Sequence, residues 1–277
     1  IDEALEEAGL KFKDLNAIAV SHGPGLVGAL LVGVATAKAL AYALRLPLIA
    51  VNHLQAHLYA NYLSGAPRQF PAVTLIVSGG HTELLLLKDE TTAFSLGSTR
   101  DDAAGEAFDK VARYIDLGYP GGPLIDKMAA EGNPKAIDFP RAWLLEDGRY
   151  DFSFSGLKTA VINHYHRAYQ RGETISLPDL VASFQDALVE VLVEKTIYAA
   201  TDYQAKTVML AGGVAANSHL RHRLQERLTA ALPEVKLHFP PLNLCTDNAA
   251  MIAAAAYPLY RQQKFAPLDL NAFPGLS

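Results

Sequence analysis

Two histidines, His53 and His57, stand four residues apart in "VNHLQAHLYANYL", directly after the apolar run "LPLIAV". On a helix that spacing puts both imidazoles on one face, where they can share one ion. They can equally be two polar residues of an ordinary helix. A metalloprotease of the HExxH kind needs a glutamate right after its first histidine as general base, and this chain has Leu54 there. A metal would need a third ligand, and the best candidate is Asp247 in "LCTDNAAM", at the N-terminus of a predicted helix. Two imidazoles, one carboxylate and open positions suit Zn2+ or Fe2+. The competing role for Asp247 is a helix cap, which Thr246 could also supply.

Three glycine pairs form a second group. Gly79 and Gly80 lie in "VSGGHT", Gly121 and Gly122 in "YPGGP", and Gly212 and Gly213 in "LAGGVAAN". Glycine lets backbone approach a ligand and aim N–H groups at phosphate. One pair is usually a turn; three pairs, two of them at strand ends, point to a nucleotide site. None is a Walker A or GxGxxG motif, so a phosphate clamp built from hairpins fits better. Asp109 and Asp126 are isolated acids in apolar settings. Each can serve in a structural ion pair, for Asp109 with Lys110, or can hold a ribose. "FSFSGLKT" reads either as a strand edge or as a segment that brings Ser155 or Lys158 near a ligand. "HYHRAYQR", residues 164 to 171, mixes basic and aromatic side chains, which suits RNA or a solvated helix end.

These residues need elements to position them. "NAIAVSHGPG" reads as a strand ending in a turn, residues 26 to 44 as a closely packed helix, "LPLIAV" as a strand, and the histidine stretch as the next helix. "QFPAVTLIVSGGHTELLLLKD" reads as a hairpin with "FSLGSTR" as its third strand. "DDAAGEAFDKVARYI" is a helix that "GYPGGP" stops. A long helix follows with Ser176 as N-cap and Pro178 in its first turn, then strand "KTVMLAGG", helix "VAANSHLRHRLQERLTAAL", strand "VKLHFP" and helix "TDNAAMIAAAAYPLY". Strands alternating with helices imply an α/β fold. We expect a first lobe over residues 1–67 and a second over 68–277, with the last helix able to pack back on the first lobe.

The 277 residues are 50% hydrophobic and 19% charged, with a net charge of -5. No global basic field announces nucleic acid, so such a partner would use local patches. The single cysteine, Cys245, excludes an internal disulfide and fits a cytoplasmic location. The two longest apolar stretches, in residues 26–44 and 247–260, are Ala-rich and read as buried helices, not membrane spans. The chain opens at Ile1 without a methionine, and we expect an upstream segment to be missing.

Taken together, the segments resemble one family, the tRNA threonylcarbamoyladenosine transferases (TsaD), formerly known as O-sialoglycoprotein endopeptidases. "GPGLVGALLVG", "NHLQAH", "VSGGHTELL", "DDAAGEAFDKVAR", "YPGGP", "FSFSGLKTA", "LAGGVAANSHLR" and "CTDNAAMIA" occur in the family's order across nearly the whole chain. The resemblance implies an actin-like ATPase fold with two ribonuclease-H-like lobes. It implies that His53, His57 and Asp247 bind one metal. It implies that Ile76, Val77, Ser78, Gly79, Gly80, Asp109, Gly122, Asp126 and Asn217 contact ATP, ADP or threonylcarbamoyl-AMP. Transfer would go from that adenylate to the adenosine next to the anticodon of tRNAs reading codons that begin with A, with His81 as a candidate base. Implied partners are tRNA, a paralogous TsaB-like subunit pairing through the first lobe's helices and a small TsaE-like ATPase, with no membrane. Many relatives carry an acid where this chain has Gln55, a position that is not a ligand. The family's opening "DTSCDET"-like hairpin has no match, so the first lobe is expected to lack its first strands. Other classes compatible with the fold are an inactive nucleotide-binding scaffold and a carbamoyltransferase or small-molecule kinase.

Overall fold

A computed structural model of the chain describes residues 1–90, 92–143 and 148–276. Its elements begin with α1 (Asp2–Glu7), β1 (Ile18–Gly23), α2 (Val27–Leu44), β2 (Leu48–Asn52) and α3 (His53–Leu63). There follow β3 (Ala72–Val77), β4 (Thr82–Leu87), β5 (Ala93–Ser98), α4 (Ala104–Tyr114), α5 (Gly121–Ala129), α6 (Ser155–Gln170) and α7 (Leu177–Asp202). The chain continues with β6 (Thr207–Ala211), α8 (Ser218–Ala231), β7 (Lys236–His238), α9 (Leu242–Cys245) and α10 (Ala249–Arg261). It divides into two compact units, Ile1–Leu63 with Asp247–Ser277, and Ser64–Thr246.

In the smaller unit, β1 and β2 pair in parallel with Ile18 opposite Leu48, and α2 makes the crossover that parallel strands require. Leu30, Val34, Ala37 and Ala41 recur at helical spacing and form the buried stripe of α2, which packs on β1. The rest of α2 is not buried as its composition led us to expect. Val27, Leu31, Val32 and Tyr42 are exposed, as is Leu26 at the N-cap, because the two strands cover only one face of the helix. By length and composition alone α2 could cross a membrane, but its stripe is that of a helix packed on a sheet. The last helix, α10, turns Met251, Ala255 and Ala256 inward and packs on α3 and β2. The unit boundaries therefore fall at 63/64 and 246/247, where the sequence pattern suggested lobes over 1–67 and 68–277 with the last helix able to pack back on the first.

The larger unit is built on a five-stranded sheet in the order β5-β4-β3-β6-β7. β3, β4 and β5 form an antiparallel meander, while β6 pairs in parallel with β3 and with β7. This strand order is that of a ribonuclease-H-like lobe. All six residues of β3 are buried, as a central strand covered on both faces must be. The 26-residue α7 is buried on most of its circumference, and Ser176 caps it by accepting from the Asp179 N–H at 3.4 Å.

Three local expectations change. "YPGGP" does not only stop α4; it also opens α5, with Pro123 in the first turn. In "FSFSGLKT" only Phe152 makes a bridge, to Thr99, and α6 starts at Ser155. That start is fixed by Asp101, whose carboxylate accepts from the N–H groups of Phe154 (2.8 Å) and Ser155 (3.2 Å). The helix predicted from "VAAN" onward begins later. Gly213–Ala216 is a 3-10 turn, and Asn217 caps α8 by accepting from Leu220 N–H at 2.9 Å.

Candidate metal centre and ligand cavity

β2 ends at Asn52, and its side-chain oxygen accepts from the N–H groups of Leu54 (2.9 Å) and Gln55 (3.1 Å). That cap starts α3 at His53, so the two histidines fall on its first turn and a half. Their rings lie 5.0 Å apart, edge to face at 78°. The third group arrives from the other end of the chain. Neither Asp247 nor Thr246 caps α10; Asn248 does, accepting from Met251 N–H at 2.8 Å. The Asp247 carboxylate is thereby released, and its Oδ1 lies 3.2 Å from His53 Nε2 and 3.3 Å from His57 Nε2. Hydrogen bonds from the two histidines, against the opposing effect of burial, hold the Asp247 carboxyl well below the usual carboxylate range.

His57 is buried, and among the described residues its Nδ1 has no hydrogen-bond partner, while the Asp247 side chain is 76% exposed. On the outer side of His53, Ser21 Oγ of β1 stands 3.5 Å from Nδ1, where it can fix the tautomer that turns Nε2 inward. The sequence pattern did not single out Asn52 and Ser21, which hydrogen-bond the start of α3 and the His53 ring. A polar residue ahead of a histidine helix was the available signal for Asn52. The three donor atoms lie within 4.8 Å of one another. Two imidazole nitrogens and one carboxylate oxygen converging at that spacing fit a single divalent ion with coordination positions left open.

The larger unit contains a cavity of about 520 Å³. Its walls include Gly79 from the β3–β4 turn, Asp109 from α4, Gly122 and Asp126 from α5, and Asn217 before α8. Five of the residues implied by the resemblance thus face one space. The others do not line it. Ile76 and Val77 are buried in β3. Ser78 closes the turn, its Oγ accepting from the N–H groups of Gly80 (3.3 Å) and His81 (3.1 Å). Gly80 and His81 lie in the same turn, outside the cavity lining.

The acids that line it also hold the walls in place. Asp109 is not ion-paired with Lys110, which bridges Asp102 (2.7 Å) and Glu106 (2.8 Å) instead. Its Oδ1 accepts from Gly121 N–H at 2.7 Å and so anchors the start of α5. Asp126 accepts from the N–H and hydroxyl of Ser218, both at 3.0 Å. The Asn217 amide donates to Gln185 at 2.9 Å. Lys158 pairs with Asp102 and does not line the cavity.

The glycine pairs divide their labour. A Cβ at Gly121 would lie 2.7 Å from the Phe108 carbonyl oxygen, and one at Gly212 would lie 2.4 Å from that of Val77. Their neighbours Gly122 and Gly213 face open space, as do Gly79 and Gly80. One glycine of each later pair is thus required by packing and the other leaves the cavity open. Gly105, passed over in the sequence, belongs to the first kind, since its Cβ would lie 2.5 Å from Ser78 oxygen. A glycine inside a helical pattern was its signal. Gly212 also holds φ at +90°, a conformation other residues rarely adopt. Gly212→Ala is expected to destabilise the fold by roughly 3 kcal/mol, with Gly213→Ala nearly neutral. Urea midpoints check this, and equal midpoints for the two variants would show that the backbone gives way.

The model of the family described as TsaD: tRNA N6-adenosine threonylcarbamoyltransferase matches residues 1–254. A tRNA N6-adenosine threonylcarbamoyltransferase of Moorella thermoacetica is 61% identical over 277 residues, covering 100% of this chain and 80% of the relative. One from Geobacillus kaustophilus is 59% identical over 276 residues, with the same coverage. Among solved structures, full-length HypF in a phosphate- and nucleotide-bound form superposes with a TM-score of 0.68 at 14% identity, covering 96% of this chain and 50% of HypF. At that identity the likeness is one of fold.

Proposed function

The chain belongs to the TsaD family of tRNA N6-adenosine threonylcarbamoyltransferases, and we propose that it moves threonylcarbamoyl from threonylcarbamoyl-AMP to the adenosine next to the anticodon of tRNAs reading codons that begin with A. Its fold is the α/β actin-like ATPase fold. The observation that carries the reading is the convergence of His53, His57 and Asp247 in a chain 61% identical to a named transferase. In the reaction the exocyclic amine attacks the carbamoyl carbonyl carbon. The bond from that carbon to the phosphate oxygen breaks, AMP leaves with the electron pair, and the amine gives up a proton.

His53, His57 and Asp247 would hold the ion, Fe2+ or Zn2+. When bound it supplies Lewis-acid polarisation of a carbonyl oxygen. AMP is a good leaving group, so the chain's own work is chiefly to bind and orient. Gly79, Gly122 and Gly213 leave room for nucleotide against the backbone, and Asp109 and Asp126 retain acceptor capacity for ribose hydroxyls beside the bonds they already accept. ATP or ADP would occupy the same cavity as the adenylate. The uncovered apolar face of α2, with Leu26, Leu31 and Val32 exposed, suits a paralogous TsaB-like subunit packing helix against helix. A small TsaE-like ATPase would complete the assembly, and we take the reaction to run in the cytoplasm. The intact donor set favours this reading over an inactive scaffold or a small-molecule kinase, neither of which needs it.

The experiment is transfer of labelled threonylcarbamoyl from its adenylate to unmodified tRNA, with and without TsaB-like and TsaE-like partners. Modified adenosine is expected in digests of the product tRNA. Adenylate that binds but never transfers to tRNA with both partners present would favour the scaffold instead.

A further inference from the structure

Asn217 lines the nucleotide cavity, and its polar groups leave one donor over. Its backbone N–H donates to the Val214 carbonyl at 2.9 Å, and its backbone carbonyl accepts from Arg221 N–H at 3.2 Å. Its side-chain oxygen accepts from Leu220 N–H at 2.9 Å as the cap of α8. One amide hydrogen goes to Gln185 Oε1 at 2.9 Å. An asparagine amide carries two hydrogens, and the second has no partner among the described residues.

The orientation of that amide is fixed in two steps. The Leu220 N–H can only donate, so it draws the Asn217 oxygen toward α8 and turns the nitrogen away from it. The nitrogen then meets α7, where only an acceptor fits, and Gln185 supplies one. Gln185 is 4% exposed, on a helix buried over most of its circumference. A neutral amide in such a place is destabilising unless it is bonded. The cap by itself does not call for Gln185, since an aspartate caps a helix as well and has no amide nitrogen to satisfy. The next two residues are tied down too, Ser218 to Asp126 and His219 to the buried Asp186 at 3.1 Å, so the start of α8 has little room to swing. The carboxylates of Asp109 and Asp126 offer the cavity acceptors, whereas the spare Asn217 hydrogen is a donor. A nucleoside matches both, with ribose hydroxyls that donate and purine ring nitrogens that accept.

We infer that Gln185, which does not itself line the cavity, is a positioning residue for nucleotide binding: it holds the Asn217 amide so that the second hydrogen is presented to an acceptor on the nucleoside part of the ligand. The inference rests on the nucleotide reading of this cavity and adds to it the group that orients one wall. The test is calorimetric titration of adenosine and of ATP into the full chain and its variants. Gln185→Leu is expected to weaken both ligands by the same factor, roughly five- to tenfold. Gln185→Met, unbranched like glutamine, should do the same and serves where the leucine variant does not fold. Gln185→Glu keeps an oxygen acceptor in either protonation state and should bind within about twofold of the unaltered protein. In Asn217→Ala the donor is gone, so adding Gln185→Leu should weaken binding no further. A Gln185 that serves stability alone would lower the melting temperature of the apolar variants and leave both affinities unchanged, which would overturn the inference. Additive losses in the double variant, or a Gln185→Glu as weak as Gln185→Leu, would overturn it too. So would a loss for ATP that adenosine does not share, since that puts the acceptor on a phosphate. No binding of either ligand by the unaltered protein would overturn the cavity reading and this inference with it.

Discussion

His57→Ala is expected to strip the protein of its ion and lower threonylcarbamoyl transfer about a thousandfold. One imidazole and one carboxylate do not make a tripod, and the exposed carboxylate cannot hold a divalent ion at micromolar levels with so few fixed partners. With the ion would go the proposed Lewis-acid polarisation, several kcal/mol of charge stabilisation, and roughly 4 kcal/mol corresponds to that factor. His57 is buried, so its removal also leaves a hole beside α3. Asp247→Ala separates the two effects. That side chain is 76% exposed, its truncation opens no core cavity, and Asn248 still caps α10. Both variants should read near zero metal by mass spectrometry, where the unaltered protein reads one equivalent. Ser21→Ala should be milder, with metal affinity down about tenfold, as for other outer partners of a ligand histidine. A full equivalent of metal in Asp247→Ala, with transfer preserved, would overturn the three-ligand site.

Gly122→Val is expected to weaken ATP and AMP binding by ten- to a hundredfold while leaving the fold intact. The position lines the cavity and has no atom within 4 Å of where a Cβ would stand. A valine therefore costs the protein no packing clash but fills space that the nucleotide needs. Loss of the contacts it displaces corresponds to roughly 1 to 3 kcal/mol. Gly121 would be the wrong position for this test, because a side chain there collides with α4 and confounds binding with stability. Calorimetric titration reads the affinity, and thermal melting in the absence of ligand reads the fold. Unchanged affinity in a folded Gly122→Val would place the nucleotide outside this cavity.

Local patterns carried much of this. The four-residue step from His53 to His57 dictates a shared face as soon as a helix forms, and the cap at Asn52 makes it form there. The strand and helix order of both units follows from periodicity and turn chemistry, which act over a few residues and are written in them. Glycine pairs marked where backbone bends beside the cavity, but not which glycine of each pair packing requires. That depends on the Phe108 and Val77 carbonyls, which other elements bring within 3 Å of the missing side chains.

Tertiary structure alone decided the rest. Asp247 could be a cap or a ligand as far as its neighbours in sequence could tell. Asn248 took the cap, and the packing of α10 on α3 then carried the carboxylate to within 3.3 Å of both imidazoles. The same packing assigns the last helix to the first unit. The burial of α2 was likewise undecidable locally, because an alanine-rich helix suits a two-sided core as well as a one-sided one. What decides is whether a second surface meets it, and within this unit β1 and β2 meet only the stripe from Leu30 to Ala41. Spacing specifies which side chains share a face; only the assembled chain specifies what that face touches.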